Sequence, residues 1–299
     1  MTKTISRFSP KPPWIRVDLP TGERYAHLKE MLQSLKLHTV CEEARCPNMG
    51  ECWGGGTATF MVLGDTCTRG CGFCAVKTKK TGAPLDPEEP VKVADSVKKM
   101  GLNYVVITSV DRDDLPDQGS GHFAQVVHEV KQRTDSMVEV LIPDFSGRQD
   151  LIQKVVDSGT DVMAHNLETV RRLTPFVRDR KADYDQSLSV LKTIKKLNPS
   201  LYTKSSLMLG LGETEEELKE SFQDLRESGV DILTLGQYLQ PSIKHLKVLD
   251  YISPAAFEKL KQEAESYGFL YVAAGPLVRS SYRAGEFFMK SLIRSKEKL

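Results

Sequence analysis

From residue 58 onward the sequence predicts an α/β fold with parallel strands, arranged as a complete or partial barrel. Three observations predict it. Short runs rich in Val, Ile, Leu and Tyr recur along the chain, each about as long as a buried strand. Between them lie stretches whose apolar residues repeat at helical spacing. The two kinds alternate to give about six βα units, and regular alternation means parallel strands joined by right-handed crossovers. With 299 residues, 40% of them apolar, the chain can bury one large core or two smaller ones.

Residues 1–57 lack this rhythm. Pro10, Pro12, Pro13, Pro20 and Pro47 punctuate them, and Gly54, Gly55 and Gly56 close them. They read as an N-terminal extension with a helix near 25–35. Strands are then expected at 59–63, 104–109, 138–142, 161–164, 202–209, 232–237 and 270–273. Helices are expected near 90–100, 148–158, 186–197 and 254–267. Phe123, Val126, Val127 and Val130 repeat at i, i+3, i+4 and i+7 and mark another. A further helix, 214–228, buries Leu218, Phe222 and Leu225 and opens on Thr214 with Glu217 three residues later, a capping box. Gly210-Leu-Gly212-Glu213 lacks dinucleotide-binding and P-loop spacing and reads as a strand-to-helix turn.

Charge is balanced, 41 basic residues against 40 acidic. Nothing steers the chain generally toward nucleic acid or an anionic membrane. The basic tail from Lys290 to Lys298 reads as a solvated terminus. No apolar run approaches the roughly 18–20 residues that span a bilayer. The first residues lack the apolar stretch of a secretory signal, and Pro10, Pro12 and Pro13 oppose an amphipathic targeting helix. A soluble cytoplasmic protein is therefore expected.

All six cysteines lie between residues 41 and 74, in two groups of three: Cys41-x4-Cys46-x5-Cys52 and Cys67-x3-Cys71-x2-Cys74. A disulfide framework is possible by count, but a chain able to build its own core does not need staples. Structural zinc wants four ligands. Three-plus-three spacing does not divide into fours, and only His38 of the six histidines lies close to the cysteines. Iron–sulfur clusters fit better. Three thiolates on one tight loop leave one iron of a [4Fe–4S] cube open, which hints at chemistry rather than electron storage.

The second group, Cys67-Thr-Arg-Gly-Cys71-Gly-Phe73-Cys74, resembles the signature of the radical S-adenosylmethionine superfamily, including the aromatic Phe73 before the last cysteine. Gly70 and Gly72 leave the backbone free to wrap a cluster. The resemblance implies a partial (βα)6 TIM-like barrel with the cluster loop after its first strand. It also implies an open iron that chelates S-adenosylmethionine, one-electron cleavage, and hydrogen abstraction by the adenosyl radical.

A closer resemblance is to the lipoyl synthase family. It rests on the segment from Thr39 to Trp53 carrying the first cysteine group, and on Lys11-Pro-Pro-Trp-Ile-Arg16, residues 108–115, residues 164–168, residues 210–213 and Arg279-Ser280-Ser281-Tyr282. It covers about residues 11 to 285; Met49 stands where isoleucine is more usual. It implies two [4Fe–4S] clusters: a radical cluster on Cys67, Cys71 and Cys74, and an auxiliary cluster on Cys41, Cys46, Cys52 and Ser281. An alkoxide is a hard, labile donor beside thiolates, which suits a cluster that gives up its sulfur. By themselves, Ser280 and Ser281 read instead as caps of a helix or turn before the tail.

The implied reaction inserts two sulfurs at C6 and C8 of an octanoyl chain on a lysine of a lipoyl-carrier domain. Such carriers are 2-oxoacid dehydrogenase E2 subunits and the glycine cleavage H protein. The electron donor would be a ferredoxin or flavodoxin. The implied layout is an extension over 1–57, a barrel over 58–275, and a short C-terminal segment over 276–299. For S-adenosylmethionine contacts, Phe73, Asn166, Glu168 and Arg178 are expected. Asn166 is as readily a helix N-cap, and Lys204 is an alternative to Arg178 for a ligand carboxylate. Asp111, Asp113 and Asp114 read as positioning a substrate amide or an adjacent loop, or as capping and solvated groups, and Trp14 and Arg16 as an arm on the barrel. The competing readings are a methylthiotransferase with an auxiliary cluster, biotin synthase-like sulfur insertion, and a zinc-binding interaction module.

Overall fold

The computed structural model describes residues 11–15, 30, 32, 35, 37–43, 48 and 58–281. The expected helix at 25–35 lies outside these residues, apart from isolated positions. The described strands are β1 (His38–Thr39), β2 (Thr59–Val62), β3 (Thr66–Cys67), β4 (Lys77–Thr78), β5 (Tyr104–Ser109), β6 (Met137–Leu141), β7 (Val162–Ala164), β8 (Tyr202–Leu209), β9 (Ile232–Gln237) and β10 (Tyr271–Gly275). The described helices are α1 (Val40–Glu43), α2 (Glu89–Met100), α3 (Ser120–Arg133), α4 (Gln149–Val156), α5 (Thr174–Val177), α6 (Tyr184–Leu197), α7 (Glu215–Glu227) and α8 (Pro254–Ser266).

One 8-stranded sheet runs β1-β2-β5-β6-β7-β8-β9-β10. From β2 to β10 every pairing is parallel; only β1 is antiparallel to its neighbour. β1 and β10 are its two ends and do not pair, so among the described residues the barrel is open. Each expected strand from 59 onward is present, shifted by at most two residues at an end. The first ends at Val62 because Leu63 takes a positive φ of 70°. The last begins at Tyr271; Leu270 before it is 51% exposed. β1, β3 and β4 were not foreseen, since two residues carry no periodicity.

Side-chain alternation sorts each strand into two faces. Val105 and Ile107 of β5 pack outward against Phe123, Val126 and Val130 of α3. Tyr104 and Val106 point the other way and join Val162, Tyr202 and Ile232 in a small inner core. In the second half, Leu207, Leu209, Leu233 and Leu235 meet Phe222 and Leu225 of α7. Fully burying such a side chain contributes about 1.5–3 kcal/mol. The capping box holds: Thr214 Oγ1 accepts from Glu217 N at 3.3 Å, and Glu217 Oε2 accepts from Thr214 N at 2.8 Å. Gly210 turns the chain ahead of it with φ 98°, where a Cβ would meet the Asp250 carbonyl oxygen at 2.3 Å. No helix among the described residues is long and apolar enough to cross a membrane.

Candidate functional site

The loop after β2 carries Cys67, Cys71 and Cys74 at the carboxyl ends of the strands, where parallel α/β folds bind ligands. All three thiols are free and half-buried. Cys67 Sγ accepts from Arg69 N at 3.4 Å, and Cys71 Sγ accepts from Asp179 N at 3.2 Å. Burial, aided by the Asp111 carboxylate, pushes the Cys67 thiol up to about 12. Burial also pushes Cys71 up to about 12 and raises Cys74. Thiolates here therefore need a positive partner, which bound iron supplies. Together with the backbone N–H groups aimed at sulfur, this donor set fits a [4Fe–4S] cube. Phe73 packs into the apolar core of the second half of the barrel.

Arg69, inside the loop, had no sequence signal. It is buried and sends a fork to Asp113 (Nη2 to Oδ1, 2.8 Å; Nε to Oδ2, 3.0 Å) and another to Asp144 (Nη1 to Oδ2, 2.6 Å; Nη2 to Oδ1, 2.8 Å). Asp111 lies 3.4 Å from Nε. The loop is thus tied to the ends of β5 and β6. Burial works against the Asp144 carboxylate, but the Arg69 hydrogen bonds and charge prevail and hold it at about 2. Asp111 moves the other way: burial, with Asp144 and Asp113 nearby, raises it to about 6 despite Arg69.

The second wall follows β7. Asn166 Nδ2 donates to Glu168 Oε1 at 3.1 Å, while Asn166 Oδ1 is buried with no hydrogen-bond partner among the described residues. Such an orphaned acceptor fits an ammonium or hydroxyl donor on a bound ligand. Glu168 has φ 69°, strained for a side-chain-bearing residue, and is held there by a bridge to Leu207. Burial raises its carboxyl, opposed by Arg178 and Asn166. Its charge reaches Cys71 and Cys74 and contributes to their raised values. Arg178 Nη1 donates to Ser187 Oγ at 2.8 Å, and Ser187 Oγ lies 3.0 Å from His165 Nε2. His165 Nδ1 is 2.9 Å from the Ile142 carbonyl. With Nδ1 as donor, this chain fixes one neutral tautomer, and burial, then the Arg178 charge, depresses His165 to about 4.

Several expectations need correction. Asn166 caps no helix; the next one begins at Thr174. Lys204 is not available to a ligand carboxylate: it points into the barrel and pairs with Glu139 at 2.7 Å, both side chains 2% exposed. For Asp111, Asp113 and Asp114 the contacts support the positioning of an adjacent loop. Arg69 takes Asp113 and lies beside Asp111, while Arg112 takes Asp114 through Nε at 2.8 Å and Nη2 at 2.9 Å. These partners sit elsewhere in the fold or, for Arg112, inside the acidic run itself. Trp14 stays largely exposed, whereas Ile15 beside it is buried; Arg16 lies outside the described residues.

Of the auxiliary-cluster residues, Cys46 and Cys52 lie outside the described residues. Cys41 falls within α1. Ser281 is half-buried at the end of the described chain. The approach to it packs on β9, where a Cβ at Gly236 would meet the Val278 carbonyl oxygen at 2.1 Å. Asn48, between Cys46 and Cys52, is buried and donates through Nδ2 to the Leu277 carbonyl at 2.6 Å. The first cysteine segment and the C-terminal segment therefore meet.

Comparison with known proteins agrees with this geometry. Residues 61–225 match the radical SAM superfamily model, and residues 4–46 match the N-terminal domain of lipoyl synthase of that family. The mitochondrial lipoyl synthases of Drosophila sechellia and Drosophila melanogaster are each 56% identical over 293 residues, covering 96% of this chain and 78% of theirs. The fold resembles the FeFe-hydrogenase maturase HydG of Carboxydothermus hydrogenoformans (TM-score 0.57, 13% identity, 91% of this chain and 78% of that one). It also resembles Streptococcus suis SuiB bound to its precursor peptide SuiA (TM-score 0.58, 12% identity, 88% and 55%). Members of the superfamily work with a [4Fe–4S] cluster and S-adenosylmethionine. The cytoplasmic expectation is overturned, because these relatives are named mitochondrial. The lack of an apolar stretch, on which that expectation leaned, carries no information on an organelle. Two cysteine groups, an α/β barrel and 56% identity across almost the whole chain lead to one conclusion: this chain belongs to the lipoyl synthase family of the radical S-adenosylmethionine superfamily.

Proposed function

We propose that the chain inserts sulfur at C6 and C8 of an octanoyl group held in amide linkage by a lysine of a lipoyl-carrier domain. The observation that carries this reading is the trio of free thiols of Cys67, Cys71 and Cys74 on one strand-end loop, with Cys71 and Cys74 close enough to Glu168 to respond to its charge. Cys67, Cys71 and Cys74 would hold a [4Fe–4S] cluster, which would supply one-electron reductive cleavage of S-adenosylmethionine and, through it, hydrogen abstraction from the octanoyl chain. The backbone N–H groups of Arg69 and Asp179 bond two of the ligand sulfurs and steady the loop. Asn166 Oδ1 accepts from the amino group or ribose of S-adenosylmethionine, Glu168 accepts beside it, and Arg178 faces the methionine carboxylate. Phe73 seats the loop on the core.

In this reading Cys41, Cys46, Cys52 and Ser281 hold a second [4Fe–4S] cluster, which is itself the sulfur substrate. The Asn48 to Leu277 hydrogen bond supports it, since it draws the two segments together. The layout of extension (1–57), barrel (58–275) and C-terminal segment (276–299) belongs to the same proposal. So do the partners: E2 subunits of 2-oxoacid dehydrogenases or the glycine cleavage H protein as carriers, and a ferredoxin or flavodoxin as donor.

The test is mass spectrometry of an octanoyl-lysine peptide after anaerobic incubation with cluster-reconstituted protein, S-adenosylmethionine and dithionite. Gain of two sulfurs with loss of two hydrogens is expected. Release of 5′-deoxyadenosine with no sulfur in the peptide would keep the radical chemistry and reject the substrate.

A further inference from the structure

The outer face of the cluster loop has features that the reaction itself does not use. Gly70, between Cys67 and Cys71, is exposed to solvent. Three chain segments bond directly to this loop. Lys79 N donates to the Cys67 carbonyl at 3.1 Å, and Asp179 Oδ2 accepts from Gly70 N at 2.8 Å. Leu246 N donates to the Gly72 carbonyl at 3.0 Å, and His245 Nε2 lies 3.0 Å from the Cys74 carbonyl.

These same segments expose Lys79, Lys80, Arg180, Lys244 and Lys247, none in an ion pair among the described residues. The neighbouring lysines, Lys77 and Lys181, are taken by Asp65 and Asp113. In a chain whose net charge is only +1, this is a concentrated basic rim. Beside it two large apolar side chains stand in water, Phe176 at 75% and Ile243 at 58% exposure. An apolar centre with a charged rim is the make-up of a protein-docking face.

We propose that this face docks a small acidic electron-transfer protein, which delivers the reducing electron to the cluster through the loop. The proposal rests on the reading that Cys67, Cys71 and Cys74 hold a cluster needing an outside electron. Basic charge selects an acidic partner and steers its approach. The loop's own closure distinguishes donor from carrier. Gly72 is clamped by Val177 and Leu246, and a Cβ on it would meet Leu246 Cγ at 3.0 Å. An acyl chain does not pass such a clamp; an electron crosses it through the bonded path from His245 to Cys74. One electron leaves the donor's reduced centre, and the cluster gains it.

The test compares the intact, cluster-reconstituted protein with two charge-reversed forms, Lys79→Glu/Lys80→Glu and Lys244→Glu/Lys247→Glu. A reduced [2Fe–2S] ferredoxin of acidic surface is the probe donor and dithionite the control reductant. Two quantities are read: 5′-deoxyadenosine release with each reductant, and ferredoxin affinity by calorimetry at low and high salt. Ferredoxin-driven release should fall by roughly tenfold or more, within the range of electrostatic steering, with weaker and less salt-dependent binding. Dithionite-driven release should stay within about twofold, and Lys79→Gln/Lys80→Gln should show a smaller loss in the same direction. Unchanged ferredoxin-driven release overturns the proposal. So does an equal loss with dithionite, or lost affinity for an octanoylated carrier with ferredoxin binding intact. Failure of the unaltered protein with dithionite would instead contradict the functional reading.

Discussion

Two of the buried ion networks among the described residues are built differently. Arg69 joins its own loop to Asp113 and Asp144, residues 44 and 75 positions away, through paired N–H donors, with Asp111 also in reach. Lys204 meets one carboxylate, Glu139, which also accepts from the Tyr104 hydroxyl at 2.5 Å. The first network lies under the cysteine loop; the second sits beside the small inner core of Tyr104, Val106, Val162, Tyr202 and Ile232. A planar guanidinium fixes the relative angle of several backbones, whereas an ammonium is a point charge that satisfies whichever acceptor is near. The difference teaches that one network shapes the site and the other only fills the barrel.

Removing Arg69 is the harshest way to break that contrast. Arg69→Ala strands the buried Asp144 carboxylate and leaves Asp113 to Lys181 alone, and breaking one such buried pair costs about 3–5 kcal/mol. Iron retained per chain should fall along with urea stability, and Arg69→Lys should restore neither, because it cannot form the two forks. A variant that kept full iron would show that the loop holds itself. Lys204→Met should also cost about 3–5 kcal/mol alone. Adding Glu139→Gln removes the orphaned charge and should recover most of it, with 5′-deoxyadenosine release close to the unaltered protein. If the double variant lost that activity while stably folded, Lys204 would belong to the site after all.

Acid sharpens the comparison further. His165 is depressed from 6.5 to about 4 by burial and then by Arg178. The unfolded chain therefore binds its proton first, so the His165 contribution to stability falls as pH drops from about 6.5 to about 4, while Asp111, raised to about 6, works in the opposite direction between about pH 6 and pH 4. The His165 change is on the order of 3 kcal/mol. His165→Gln should remove that contribution, so that in urea titrations across the window the opposing Asp111 slope remains. Asp144, held at about 2 against 3.8, adds a second loss only between about pH 4 and pH 2. An unchanged slope in the upper window would mean that His165 is not the group responsible.

Much of this was legible in the sequence, for reasons that differ by element. The strands β2 and β5 to β10 announced themselves as apolar runs, and α7 by Thr214 and Glu217, because those signals are local. The radical cysteine loop was legible through the spacing of Cys67, Cys71 and Cys74 and through Phe73. Arg69 was not, since its partners are set by how β5 and β6 lie beside the loop. His165 and Ser187 likewise gain meaning only when β7 meets α6. Lys204 misled because its place on a strand was visible, but the direction it faced and its partner on β6 were not. The docking face escaped notice for a related reason: its charges come from three separate segments and cancel in the total.

The central claim is a division of labour between the two cysteine groups, and parallel analysis of Cys46→Ala and Cys74→Ala tests it most directly. Both proteins would be incubated anaerobically with S-adenosylmethionine, dithionite and octanoyl-lysine peptide, and assayed for 5′-deoxyadenosine and for sulfur in the peptide. Cys74→Ala should release no 5′-deoxyadenosine, whereas Cys46→Ala should release it and leave the peptide free of sulfur. Lipoyl product from Cys46→Ala would contradict the account, as would 5′-deoxyadenosine from Cys74→Ala.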